Sequence, residues 1–167
     1  MTRLARLLRG ASFAADAPGD GWLLARMLAW RTVLPFLKRR VPLATLVRVM
    51  WREPRAGIRP ARGARIIDLV YRLYWGYREG EEDICLERSL LTYRFLSSAG
   101  ADPQLVIGIR RPGDSVIGHA WVVVDGEPLF EPAVALGEYA SLVSFGRSGA
   151  LQTSSPDHAR PGDVVAG

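Results

Sequence analysis

The chain has a single cysteine, Cys85, among 167 residues, so no internal disulfide can form. A lone cysteine without a secretory signature fits a reducing compartment, and a cytoplasmic protein is expected. Histidine is almost as scarce, with only His119 and His158. One cysteine and two widely spaced histidines do not make a zinc site. There is no glycine-rich phosphate loop, and no cofactor is implied. Long apolar runs are also missing. The most membrane-like stretch, Trp22 to Leu37, carries Arg26, Arg31 and Pro35 and is too short to cross a bilayer. It reads as a buried or interfacial helix, and no transmembrane segment is expected. The opening, Met1 to Gly10, is basic, but Ala11 to Gly21 breaks it before an apolar run forms, so no signal peptide is read.

What is present suits one domain with a helical extension. Hydrophobic residues make up 49% of the chain, which argues against disorder. The net charge of +5 hides an asymmetry: residues 1–80 carry a net +11 and residues 81–167 a net −6. A basic half attracts nucleic acid, anionic lipid or acidic peptides, or is simply a solvated arginine-rich surface. Nucleic acid is disfavoured, because the arginines spread over several helices without a binding motif.

Hydrophobic periodicity predicts four helices followed by strands. Trp22 to Val33 is a mostly apolar helix expected to stop at Pro35. Leu43, Leu46, Val47, Met50 and Trp51 fall on one helical face. Glu53 to Gly63, with two prolines and two glycines, reads as a loop. A third helix is expected over Ala64 to Tyr77, with Asp68 and Arg72 on its polar side. A fourth runs from an N-cap at Asp83 to Ala99, with Gly100 ending it. It is apolar most of the way round, which marks a central helix, and Glu87, Arg94 and Ser98 form its polar stripe. Strands are expected at Gln104 to Arg110, at Ile117 to Val124 and, after an Asp125-Gly126 turn, at Pro128 to Pro132. Residues 147–167 are rich in Ser, Gly, Pro and Ala and read as a mobile tail. The expected class is α+β. The expected divisions are a basic helical region (1–63), a core (64–146) and the tail.

Cys85 falls in the first turn of the fourth helix. Unpaired N–H groups and the helix dipole favour a thiolate there and can hold an oxyanion. Nearby Glu81, Glu82, Asp83 and Glu87 oppose a thiolate. The competing reading is a small buried hydrophobe. His119 lies within a strand of Val and Trp, where a core histidine bonded to a carbonyl is the common case. His158 is in the tail, so a histidine partner for Cys85 would be His119. A cysteine at a helix start followed by a strand histidine follows the logic of papain-like and transglutaminase-like enzymes.

A third residue usually orients the imidazole, and Asp125, Glu127 and Glu131 are candidates. Asp125 and Glu127 fit turn and surface roles better. Strand parity tests Glu131. A two-residue loop pairs Glu131 with Ala120 and turns it away from His119. A three-residue loop pairs it with Trp121, on the histidine's face and about 7–8 Å away diagonally. A triad therefore predicts a bulged or odd-length hairpin, with Gly126 supplying the bulge.

Three ordered motifs carry a family resemblance: Ile84-Cys85-Leu86-Glu87-Arg88-Ser89-Leu90 with Tyr93-Arg94-Phe95-Leu96; Leu105-Val106-Ile107-Gly108-Ile109-Arg110; and Gly118-His119-Ala120-Trp121-Val122 with Val124-Asp125-Gly126. Over about residues 64–145 the chain resembles the lasso peptide leader peptidase, the catalytic half of the split B protein, with a papain/transglutaminase-like core. The resemblance implies a nucleophile helix packed on a small antiparallel sheet, with Cys85 as nucleophile and His119 as base. The family's third residue is usually Asp; here the position falls on Glu131. It further implies cleavage of a leader peptide from a ribosomally made precursor, in antibiotic-type peptide maturation. The implied partners are the precursor leader, a separate small leader-binding protein and an asparagine-synthetase-like macrolactam cyclase. No leader-binding module is read in this chain, because its first segments are helical. Arg39, Arg40 and Arg48 in the basic half offer a surface for the leader–partner complex or the cyclase.

Two rivals share these residues. The same dyad serves transglutamination or amide synthesis, distinguished only by whether water or an amine accepts the acyl group. A non-catalytic peptide-binding scaffold would carry an inert Cys85.

Overall fold

A computed structural model describes residues 20–54, 60–74 and 82–152. The elements run α1 (Asp20–Arg40), α2 (Leu43–Met50), α3 (Pro60–Leu73), α4 (Glu82–Ser98), β1 (Gln104–Arg110), β2 (Ile117–Val124), β3 (Glu127–Pro128), α5 (Ala133–Leu136), β4 (Ala140–Phe145), a 3-10 turn (Arg147–Gly149) and β5 (Leu151–Gln152). The strands form one antiparallel sheet in the order β3-β2-β1-β4-β5. The α+β class is as expected, and β1 and β2 have the bounds that the sequence pattern predicts.

The first helix does not stop at Pro35; it continues to Arg40. Proline removes one intrahelical hydrogen bond, a cost that packing on both sides offsets. Leu23, Met27 and Leu34 are buried before it, Leu37 packs on the core after it, and Lys38 pairs with Glu87 of α4 at 2.8 Å. The third helix begins at Pro60, inside the expected loop. Proline suits a first helical position, where its missing N–H would have no partner. Residues 55–59 of that loop, and residues 75–77 of the expected helix, lie outside the described residues. Asp68 does sit on the polar side of α3, between Arg65 (3.0 Å) and Arg72 (3.1 Å), and Arg65 also bonds Asp20 at 3.0 Å, tying α3 to the start of α1.

Helix α4 is central. Leu90, Leu91, Tyr93, Phe95 and Leu96 are all buried, in one core cluster with side chains of α1, α2, α3 and the sheet. Its polar stripe turns inward. Glu87 meets Lys38, and Arg94 donates to the Val49 carbonyl at 3.0 Å with its guanidinium 3.9 Å from the Trp30 ring centroid. Burial, then Arg52 and Arg26, pushes the Arg94 guanidinium down to about 10. Gly100, at φ 89°, ends the helix: its N–H donates to Ser97 and that of Ala101 to Leu96, a Schellman arrangement.

One sheet face, with Leu105, Val122, Val124 and Phe145, joins this core. The other carries a small second cluster of Val106, Trp121 and Leu136, with Val123 and Tyr139 against it. The stretch 147–152, read from composition as tail, is folded here: β5 pairs with β4, and Gly149 lies so close to α2 that a Cβ would sit 2.8 Å from the Arg48 Cα. Its small residues permit close packing. Residues 153–167 lie outside the described residues.

The Tyr93 hydroxyl holds this stretch, donating to the Gly146 carbonyl and accepting from the Gly149 N–H at 3.1 Å. Burial, the largest cause, raises the phenol from 10.0 to about 12. A raised phenol pKa gives stability that is complete below the unfolded value and lost as pH rises through the folded one. Tyr93→Phe is expected to cost about 0.5–1.5 kcal/mol at neutral pH, the net worth of the lost hydroxyl contacts, because the Gly149 N–H keeps its own bond to the Gly146 carbonyl at 3.1 Å. That cost should shrink between about 10 and about 12, as the wild type loses its phenol contribution. Urea unfolding of both proteins across that range checks it, with Arg94 common to both.

Candidate active site

Helix α4 begins at Glu82, so Asp83 is its second residue rather than its N-cap, and Cys85 lies in the first turn as expected. N–H groups of a first turn have no intrahelical acceptor. Cys85 is half-buried and not in a disulfide. Cys85, Arg88 and Ser89 share one helix face, at spacings of three and four residues. This face lies along β2, because the Ser89 hydroxyl donates to the Ala120 carbonyl at 2.9 Å. Cys85 is one turn, about 6 Å of rise, from that contact, and Ala120 adjoins His119.

Of the three candidate orienting acids, only Glu131 reaches the histidine. His119 Nε2 lies 3.3 Å from Glu131 Oε1. The same oxygen accepts from the Arg88 guanidinium, which also lies 5.0 Å from the Phe130 ring centroid. Asp125 and Glu127 are exposed at the turn. The expected bulged hairpin is absent. Val124 pairs with Glu127 and Val123 with Pro128, which leaves a two-residue loop. Asp125 (φ 54°) and Gly126 (φ 81°) both take the left-handed conformation of a type I′ turn. That register, continued, would pair Glu131 with Ala120. The chain instead leaves the ladder after the Leu129 N–H bonds the Val122 carbonyl at 3.1 Å, so the third strand is shorter than the expected Pro128 to Pro132. Pro132, without an N–H for a ladder, caps α5 instead. Released from strand parity, Glu131 turns to His119.

His119 is held on the outer face of the sheet. Its ring is 6.0 Å from that of Trp121 at 18°, and 5.2 Å from that of Tyr139. The carboxylate of Glu87, which sequence alone sets against a thiolate, is matched by Lys38 at 2.8 Å. The side chains of Glu81, Glu82 and Asp83 lie outside the described residues. Arg88, Ser89, Trp121 and Tyr139 escaped the sequence reading. For Arg88 and Ser89 the helical spacing from Cys85 was an available signal; Tyr139 had none. Among the described residues no group of three or more His, Cys, Asp or Glu side chains is arranged to hold a metal, and no helix is long and apolar enough to cross a membrane.

A cysteine in the first turn of a helix that packs on the strand bearing a carboxylate-paired histidine is the kind of arrangement that acyl transfer through a thioester uses. Residues 24–144 match the family model of the transglutaminase-like superfamily. The chain belongs to this superfamily. No curated protein and no solved structure matches it. The superfamily match begins within α1 and ends within β4, so it takes in the basic helices as well as the helix and sheet that carry Cys85 and His119. Membership suggests cysteine-dependent proteolysis or acyl transfer as the kind of activity.

Proposed function

We propose that this transglutaminase-like protein is a cysteine peptidase that removes the leader from a ribosomally made lasso peptide precursor. The observation that carries the reading is the His119–Glu131 contact at 3.3 Å, beside the helix face that bears Cys85. His119 takes the Cys85 proton, and the thiolate attacks the carbonyl carbon of the last leader residue. First-turn N–H groups of α4 hold the oxyanion. The tetrahedral intermediate collapses to a thioester as His119 protonates the leaving amine, the new N-terminus of the core peptide. Water, deprotonated by His119, then hydrolyses the thioester and restores the thiol. The freed amine is the group a macrolactam cyclase needs. A reducing cytoplasm suits a thiol nucleophile.

The test uses a lasso peptide precursor, with a leader-binding protein that recognises its leader, in water enriched in oxygen-18. Mass spectrometry should find an intact leader with one labelled carboxylate oxygen. A leader joined to an added amine instead would assign the transferase reading. No processing by a folded protein that binds the complex would support the scaffold.

The partner surface is proposed on the basic helices. Arg39, Arg40 and Arg48 are exposed. Reversing all three to Glu is expected to weaken binding of the leader–partner complex by tenfold or more, on the order of 1.4 kcal/mol, and to reduce its salt dependence. Titration calorimetry at two salt concentrations measures both, and unchanged binding would move the surface elsewhere.

A further inference from the structure

We propose that Arg88 is a positioning residue of this site: its guanidinium brings Glu131 to His119, and so fixes the imidazole tautomer that presents Nδ1 to Cys85. The role rests on the reading of His119 as the base. Three observations carry it.

The first is burial. The Glu131 side chain is 10% exposed, and Oε2 is buried with no hydrogen-bond partner. Both contacts of the carboxylate, to His119 and to Arg88, fall on Oε1. A carboxylate so far out of water needs a cation to remain ionised. A neutral imidazole supplies none, whereas the guanidinium is always charged.

The second is register. The two-residue hairpin aims position 131 at the wrong side of the sheet, with Ala120 rather than His119. Arg88 grips the departing segment at two successive residues, by its cation over the Phe130 ring at 5.0 Å and by its contact with Glu131. Strand pairing cannot deliver Glu131, and Arg88 can.

The third is where Arg88 itself is anchored. It lies three residues after Cys85, and Ser89 beside it is bonded to Ala120 at 2.9 Å. Nucleophile and clamp therefore move as one rigid helix turn. In the working state the site is an alternating row of thiolate, imidazolium, carboxylate and guanidinium, with no net charge. The imidazole of a neutral site donates Nε2–H to Glu131, which leaves the Nδ1 lone pair for the thiol proton.

The experiment is nitrogen-15 NMR of the full chain at alkaline pH. Only two histidines exist, and a His158→Ala reference assigns them. In the wild type His119 should show one dominant tautomer, protonated at Nε2. Arg88→Gln should give averaged shifts for the two ring nitrogens. Arg88→Lys should keep the tautomer, because a contact to one oxygen does not need the planar fork. In leader release, Arg88→Gln should lose about tenfold or more, the scale on which an outer partner of a working histidine is felt. In a Glu131→Gln background the same change should cost less than about threefold, since both act through one carboxylate. A folded Arg88→Gln protein with an unchanged tautomer, or a fully additive pair, overturns the proposal. Should Arg88→Gln not fold, loss of the tautomer in Arg88→Lys overturns it equally. The tautomer is read without substrate, so failure of the peptidase reading leaves this result standing, and an unchanged tautomer leaves the peptidase reading untouched.

Discussion

On the proposed mechanism, Cys85→Ala is expected to reduce leader release by at least about 10⁴-fold. No other cysteine exists to replace it. The first-turn N–H groups remain in the variant, so binding of the leader–partner complex should persist while turnover is lost. His119→Ala should fall to a similar rate, and the double variant no further, because the proposed nucleophile and base would act as one unit and their losses would not add. Single-turnover assays followed by mass spectrometry measure all three, with circular dichroism to show that each is folded. Equal release by wild type and Cys85→Ala would remove Cys85 as nucleophile, and with it the proposed roles of His119 and Glu131.

Gly108→Ala is expected to have the largest effect of any single methyl group near the site. Gly108 pairs with His119 across the β1–β2 ladder. A Cβ there would sit 2.8 Å from the Ala140 carbonyl oxygen and 2.8 Å from Cη2 of Trp121. The first obstacle is backbone, at the point where β1 and β4 shift register between Ile107 and Gly108. The second is the ring that packs against His119. Neither gives way cheaply. Overpacking of this kind costs about 1–3 kcal/mol, or several degrees of Tm at roughly 2–4 °C per kcal/mol. Displacing Trp121 also moves the imidazole, and misplacement of a working group by a fraction of an ångström should lower kcat by roughly 10- to 100-fold. Gly118→Ala, next to His119 but with nothing within 4 Å of the added methyl, should leave both unchanged. Thermal unfolding and leader-release kinetics of the two variants separate a packing effect from mere proximity.

Helix Leu43–Met50 and strands Gln104–Arg110 and Ile117–Val124 were legible because their apolar residues repeat with the period of the element. The end of α1 was not legible, because Pro35 is locally unfavourable and only the packing of Leu34 and Leu37 and the Lys38–Glu87 pair outweighs it. Residues 147–152 were misread for the converse reason. Their small side chains resemble those of a linker, yet Gly149 is what lets the turn lie against Arg48, and Tyr93 holds it there from 56 positions away in sequence.

The candidate site divides in the same way. The sequence by itself determined the α+β order, the place of Cys85 in the first turn of a central helix and of His119 within a strand, since each follows from local pattern. It also favoured Glu131 over Asp125 and Glu127 as the acid, on condition of a bulged or odd-length hairpin. Only the tertiary structure shows how Glu131 comes to His119 without one. The two-residue loop found here would, by parity, point Glu131 away from His119. The contact arises because the chain leaves the ladder at Leu129 and a guanidinium from α4, 43 residues away, meets the carboxylate. Charge pairing acts through space between distant segments, so a pattern read along the chain does not carry it.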